Sequence, residues 1–263
     1  MREDIHIVLD SIAIMKETPL VNDLRCHELC LSVRHGDIEW RDGEKSLAEM
    51  FALPKTSQPP LGDFLVLFTE LSKQGKKVIM LTLDGVLSGT IGTARLAAKQ
   101  VMAEVPGADI RVVDSLTAAV PISGMAMAML EFLETGADLD AVEEYAKDLA
   151  QRTETFFTVD NLDYLQKGGR IVGNLLGIRP IVYLNKKGEL EIADKVRTKT
   201  KTLRRMLELS AVHAPFEALY VAHAEAPEEA ENVKQQLMEL YKDIPIMMTG
   251  IGTVLAAHLG PGA

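Results

Sequence analysis

The sequence predicts an α/β protein of two domains. A parallel sheet flanked by helices forms the first, and a smaller α/β domain with antiparallel strands forms the second. Three observations carry this. Over the first half, short β-branched runs alternate with helical periodicity, the order expected when crossover helices join the strands of a parallel sheet. Beyond residue 152 the pattern changes, and Asn185-Lys186-Lys187-Gly188 supplies a tight-turn signal between two apolar runs. The chain also has 263 residues, 47% of them hydrophobic, and at about 150 residues per domain that is enough for one large core or two small ones.

In order along the chain, residues 5–10 read as a strand ending at Asp10-Ser11, and 28–33 with 38–40 flank His35-Gly36 as a hairpin-like detour. Pro60 followed by Phe64, Leu65, Leu67, Phe68 and Leu71 gives a helix with proline in its first turn, ending before Gly75. Residues 77–82 form a buried strand, 90–105 a helix, and 110–114 a strand that again ends in Asp-Ser; helices follow at 124–134 and 139–152. In the second domain 155–159, 178–184, 217–224 and 244–249 read as strands, and 200–211 and 227–241 as helices. The second of these helices opens with Pro-Glu-Glu, where acids suit the helix dipole. With no low-complexity linker or repeat to mark it, the boundary rests on the change of pattern. We place 1–154 in the first domain, completed by 250–263, and 155–249 in the second.

Charge and composition exclude several classes. Lys and Arg number 28 against 38 Asp and Glu, so the formal charge is −10, which opposes binding to nucleic acid or anionic lipid surfaces. Only Cys26 and Cys30 are present, which suits a reducing compartment. The N-terminus, MREDIHIVLD, has no apolar leader. The most apolar stretch, 118–133, is interrupted by Pro121, Ser123, Gly124 and Glu131 and is shorter than the roughly 18 residues a membrane span needs. The expectation is a cytoplasmic protein with no stable membrane insertion and no nucleic-acid partner.

Ligands of parallel sheets bind outside the carboxyl ends of the strands, and three polar clusters fall there: Asp10-Ser11, Leu87-Ser88-Gly89-Thr90 and Asp114-Ser115. Ser88-Gly89-Thr90 opens a helix, where backbone N–H groups and hydroxyls can accept an anion such as a carboxylate; a plain N-cap explains the same residues. Lys55-Thr56-Ser57-Gln58-Pro59 is a second hydroxyl-rich loop before a helix, with capping as its structural reading. His258 lies in His-Leu-Gly-Pro-Gly-Ala, read as a glycine-proline loop. Positive charge collects at Lys167-Gly168-Gly169-Arg170 and at Lys195-Val196-Arg197-Thr198-Lys199, either a solvated face or a site for an anionic partner. Cys26, His27 and Cys30 lack a second pair at zinc spacing, so no metal is expected. Ser88 with His258 and Asp10, Asp84 or Asp114 could form a hydrolase triad, but the G-x-S-x-G elbow is missing. Walker A and G-x-G-x-x-G motifs are absent too.

Taken in order, VLDS at 8–11, KTSQP at 55–59, LSGT at 87–90, VVDS at 112–115, DNLDYLQKGGRI at 160–171, IRPIVYL at 178–184, KVRTKTK at 195–201, HAEAPEEAE at 223–231 and the final HLGPGA span essentially the whole chain. This ordered set resembles the DegV family of bacterial lipid-binding proteins. The resemblance implies a DegV-like two-domain architecture with the EDD fold, holding one long-chain fatty acid in an internal tunnel with no cofactor. It further implies a fatty-acid kinase subunit as partner, to which the carboxylate is presented for acyl-phosphate formation. Carried over by motif, the ligand-binding residues are Thr56, Ser57, Ser88, Gly89, Thr90 and His258, and the arginines facing the kinase or phosphate are Arg170 and Arg197. On this reading the chain is not itself catalytic; the alternative is a serine hydrolase acting on acyl esters through Ser88 and His258. The chain departs from the family pattern at Asp84-Gly85-Val86, at Val120-Pro121-Ile122-Ser123 and in a short 172–177 segment.

Overall fold

The computed structural model describes residues 3–45, 55–160, 164–165 and 178–263. The elements of the first part are β1 (Ile5–Asp10), β2 (Cys26–Leu29), β3 (Ser32–His35), β4 (Ile38–Arg41), β5 (Lys55–Ser57), α1 (Leu61–Lys73), β6 (Lys77–Thr82), α2 (Thr90–Glu104), β7 (Ile110–Asp114), α3 (Val120–Glu134) and α4 (Leu139–Arg152). There follow β8 (Thr155–Thr158), β9 (Arg179–Leu184), β10 (Leu190–Val196), α5 (Lys199–Ser210), β11 (Leu219–His223), α6 (Pro227–Leu240), β12 (Ile246–Gly250) and α7 (Thr253–Leu259). They fall into two compact units, Met1–Ser32 with Ser57–Thr153, and Val33–Thr56 with Glu154–Ala263.

The first unit is built on a parallel sheet in the order β2-β1-β6-β7. Every residue of β1 is buried, as a strand covered on both faces requires. On one face Val8, Val78 and Met80 pack against Phe64 and Phe68 of α1 and Ala94, Ala97 and Ala98 of α2. Small residues on α2 let that helix lie close to its neighbours. Strand alternation turns Ile7 and Ile79 to the opposite face, which α3 and α4 cover, burying Met129, Leu133, Val142 and Ala146. Helix α3 begins at Val120, earlier than the periodicity indicated, because Pro121 fits its first turn.

Two expectations are corrected here. Residues 28–33 are not one hairpin strand: β2 ends at Leu29, parallel to β1. At the break the Leu31 N–H donates to Ser11 Oγ at 3.2 Å. The chain then continues as β3 into a separate sheet, β4-β3-β5, with the β3–β4 turn at Gly36 in the left-handed region (φ 61°).

The second correction concerns 250–263, which lies with the second unit rather than the first. The backbone gives the reason: Ile251 N–H bonds His223 O (2.9 Å), Gly262 N–H bonds Ala224 O (2.8 Å) and Ala224 N–H bonds Ala263 O (3.1 Å). Residues 33–56 join the same unit. Its sheet β10-β9-β8 is antiparallel, and the Asn185–Gly188 turn closes through Asn185 Oδ1, which accepts from Lys187 N–H (2.9 Å) and Glu189 N–H (3.0 Å). Strands β11 and β12 form a parallel pair, with Val221, Ala230, Val233 and Leu237 at their core. Among the described residues, no helix is long and apolar enough to cross a membrane.

Candidate functional site

In the first unit, the carboxyl ends of β1, β6 and β7 bring together the residues of the LSGT and Asp-Ser motifs. Asp10 Oδ2 accepts from Leu83 N–H at 2.7 Å. Asp84 Oδ1 accepts from Val86 N–H at 2.8 Å and Leu87 N–H at 3.1 Å. Asp114 accepts from Gly85 N–H at 3.1 Å and Leu116 N–H at 3.0 Å. Burial, together with the nearby charge of Asp84, pushes the Asp114 carboxyl up from its ordinary value, against the pull of those two N–H donors.

Beyond this loop, Ser88 and Thr90 hydroxyls lie 2.8 Å apart, and Ser88 Oγ also accepts from Thr90 N–H at 3.2 Å. Thr90 is buried, whereas Ser88 is half-buried and Gly89 exposed, which leaves Ser88 as the more accessible hydroxyl. Gly89 caps α2 without a side-chain bond. The Gln58 amide, which donates to Thr93 Oγ1, occupies the space that a Cβ at position 89 would need. Ser57 Oγ lies 2.7 Å from Ser32 Oγ, so this hydroxyl belongs to the strand junction.

In the second unit the expected hydroxyl and histidine come together: Thr56 Oγ1 lies 2.8 Å from His258 Nε2, across 202 positions of sequence. His258 is not in a loop, as its glycine-proline setting suggested, but in the last turn of α7. Asp42, only 4% exposed, holds the other end of that helix, its Oδ1 accepting from Thr253 Oγ1 and Val254 N–H, both at 3.0 Å. Gly252 allows this approach, since a Cβ there would lie 2.6 Å from the Asp42 carboxylate. Past the helix, Gly260 is left-handed (φ 78°), and a Cβ on it would fall 2.6 Å from the Tyr164 ring. Thus Gly252 and Gly260 let the two ends of α7, the helix that carries His258, pack against Asp42 and Tyr164. Asp42, Gln58 and Tyr164 were not read from the sequence. Asp42 sits in an Arg-Asp-Gly stretch that resembles an ordinary turn, and Gln58 and Tyr164, though they lie within the KTSQP and DNLDYLQKGGRI motifs, were not singled out there as site residues.

Of the basic segments, Arg170 lies outside the described residues. Arg197 is exposed, and among the described residues no carboxylate pairs with it. Its neighbours are engaged, Arg205 with Asp194 at 2.7 Å and Lys199 with Glu229 at 2.5 Å. The described residues hold no group of three or more potential metal ligands. Of the residues named for a hydrolase triad, Asp84 and Asp114 direct their carboxylates to backbone N–H groups, and His258 Nε2 is bonded to Thr56.

Strand-end hydroxyls at a helix start, and a histidine held by a threonine, belong to an α/β protein of two units equipped with hydrogen-bonding side chains. The model of an uncharacterised protein of the DegV family matches residues 4–263. The chain belongs to the DegV family. A DegV domain-containing protein of Listeria innocua is 30% identical over 281 aligned positions, covering 100% of this chain and 97% of that protein. Among solved structures, a DegV lipid-binding protein from Thermotoga maritima superposes with a TM-score of 0.85 at 29% identity, covering 98% of this chain and 95% of the other. A DegV family protein from Thermus thermophilus, solved as a fatty-acid-binding protein, gives a TM-score of 0.85 at 29% identity, covering 98% and 96%.

Proposed function

We propose that this chain is a cytoplasmic, non-catalytic carrier that buries one long-chain fatty acid and presents its carboxylate to a separate fatty-acid kinase. Thr56, Ser88 and His258 bind the carboxylate, with Ser57, Gly89 and Thr90 shaping the surrounding backbone. The observation that carries this is the 2.8 Å Thr56–His258 bond, which joins two motifs expected to act on one head group. Structural relatives that bind fatty acids support the same reading. Energetically, burying a dozen methylenes is worth on the order of 10 kcal/mol at about 0.8 kcal/mol each. A dehydrated carboxylate costs several kcal/mol unless it is hydrogen-bonded, and hydroxyl and imidazole donors offset that cost. Arg170 and Arg197 are the residues assigned to the kinase or to the acyl phosphate.

Native mass spectrometry of the protein purified from a bacterial host tests the reading. A co-purified fatty acid is expected, and Ser88→Ala and Thr56→Val should each weaken its binding by about 1–3 kcal/mol, the loss of one donor to a charged acceptor. An empty protein, or affinity unchanged in both variants, would count against it.

A further inference from the structure

We infer that Asp10, Asp84 and Asp114 are positioning residues that set the Ser88 hydroxyl through the loop backbone, without touching the ligand themselves. The inference rests on the head-group role proposed for Ser88.

The loop after β6 has no regular structure, yet each backbone N–H from 83 to 88 has a partner. Leu83, Gly85, Val86 and Leu87 donate to the three carboxylates. The Asp84 N–H bonds Thr117 O at 2.9 Å, and the Ser88 N–H bonds Asp84 O at 3.1 Å. Ser88 therefore hangs from the residue whose own side chain and N–H are fixed on either side. Sheet register sets the arrangement: Leu9 pairs with Leu81 and Thr82 with Asp114, so Asp10, Thr82 and Asp114 form one row across adjacent strand ends.

Asp10 and Asp84 are 0% and 1% exposed. Burying carboxylates is costly unless they are hydrogen-bonded, and neutral Asn or Ser could hold a turn with less charge to bury. What the carboxylates add is acceptor strength, since bonds to an ionised acceptor are shorter and stronger than neutral ones. Gly85 completes the arrangement, because a Cβ there would lie 2.7 Å from Asp114 Oδ2 and 3.0 Å from Ile91 Cγ2. The charged groups acting on Asp114 are Asp84, which favours its protonation, and Arg95, which opposes it. Once protonated, Asp114 becomes a weaker acceptor for Gly85, and the strain passes along the loop to Ser88.

A pH titration of lipid-free protein followed by ¹⁵N amide NMR tests this. The Gly85, Ser88 and Thr90 signals are expected to move with one common midpoint, above the ordinary aspartate value of 3.8. Asp114→Asn should abolish that shared transition and weaken palmitic acid binding roughly tenfold at constant pH, the effect of one charge-assisted bond. Should Asp114→Asn fail to fold, Gly85→Ala separates the same two groups sterically and is read through Ser88 and Thr90. Movement of Gly85 without Ser88 and Thr90, or wild-type palmitate affinity in the folded variant, would overturn the positioning role. Failure of the wild type to bind palmitate would instead overturn the fatty-acid reading, because the NMR coupling is measured without ligand.

Discussion

Acidification should destabilise the first unit through a pair of histidines. His6 on β1 and His27 on β2 stand with Nδ1 and Nε2 2.7 Å apart and ring centroids at 5.1 Å. One ring must donate and the other accept, so at least one is neutral. His6 is 8% exposed. Its pKa is lowered from 6.5 to about 4 by burial first, then by the charges of His27, Lys76 and Arg25, with a Glu3 backbone bond opposing. Burial lowers His27 as well. Because the folded pKa is depressed, both states are neutral above 6.5 and stability is complete there. Between 6.5 and 4 the unfolded chain takes up a proton that the folded chain refuses, so stability falls as pH falls. At 1.36 kcal/mol per unit, His6 alone accounts for about 2 kcal/mol at pH 5 and about 3 kcal/mol at pH 4. Urea unfolding followed by circular dichroism at pH 7 and pH 5 measures this. Trp40, the only tryptophan, lies in the second unit, so fluorescence would report on the wrong part of the chain. His6→Phe should reduce the stability difference between the two pH values by about 2 kcal/mol. An identical pH dependence in wild type and variant would show that the pair carries no such linkage.

Two further outcomes follow from the second unit. Asp42→Ala removes the acceptor at the start of α7 and should cost about 2 kcal/mol, the upper range for a helix cap. Hydrogen exchange should accelerate across Thr253–Leu259, and unchanged protection there would refute the capping role. Gly260→Ala forces a side chain into a left-handed residue against the Tyr164 ring and should cost about 1–3 kcal/mol. The His258 ring resonances should shift as its bond to Thr56 is lost, whereas a wild-type spectrum would show that Tyr164 simply moves aside.

The parallel-sheet unit was legible because its signals are local: β-branched runs at 77–82 and 110–114, proline in the first turn of α1 and glycine after it. What escaped reading depends on distant partners. Nothing at Cys30-Leu31 marks a strand break, since the group that makes it is the Ser11 hydroxyl twenty positions earlier. Helix α7 is only seven residues long and flanked by glycines, so its sequence resembles a loop, and its cap comes from Asp42, 211 positions away. Ser88-Gly89-Thr90 could be read as a hydroxyl-bearing helix start. Asp10 and Asp114 were likewise read at strand ends, but their alignment in one row was not, because that requires the strand order β1-β6-β7. The Thr56–His258 pair was reached through motif resemblance and not through spacing.

The clasp of Asp42 and Thr56 on α7 also bears on how the chain comes into being. Residues 33–56 leave the ribosome early, in the middle of the segments that form the first unit, yet the helix they hold is made about two hundred residues later. Once residue 153 has emerged, the first unit's sheet has all its strands, while the 33–56 excursion is still waiting for its helix. Contacts so far apart in sequence form slowly, since a long loop must close before they add any stability. During synthesis, therefore, Asp42 and Thr56 still lack their partners on α7 when every strand of the first unit's sheet has been made. These contacts form only when α7 emerges, so the Thr56–His258 pair is among the final parts of the second unit to be assembled.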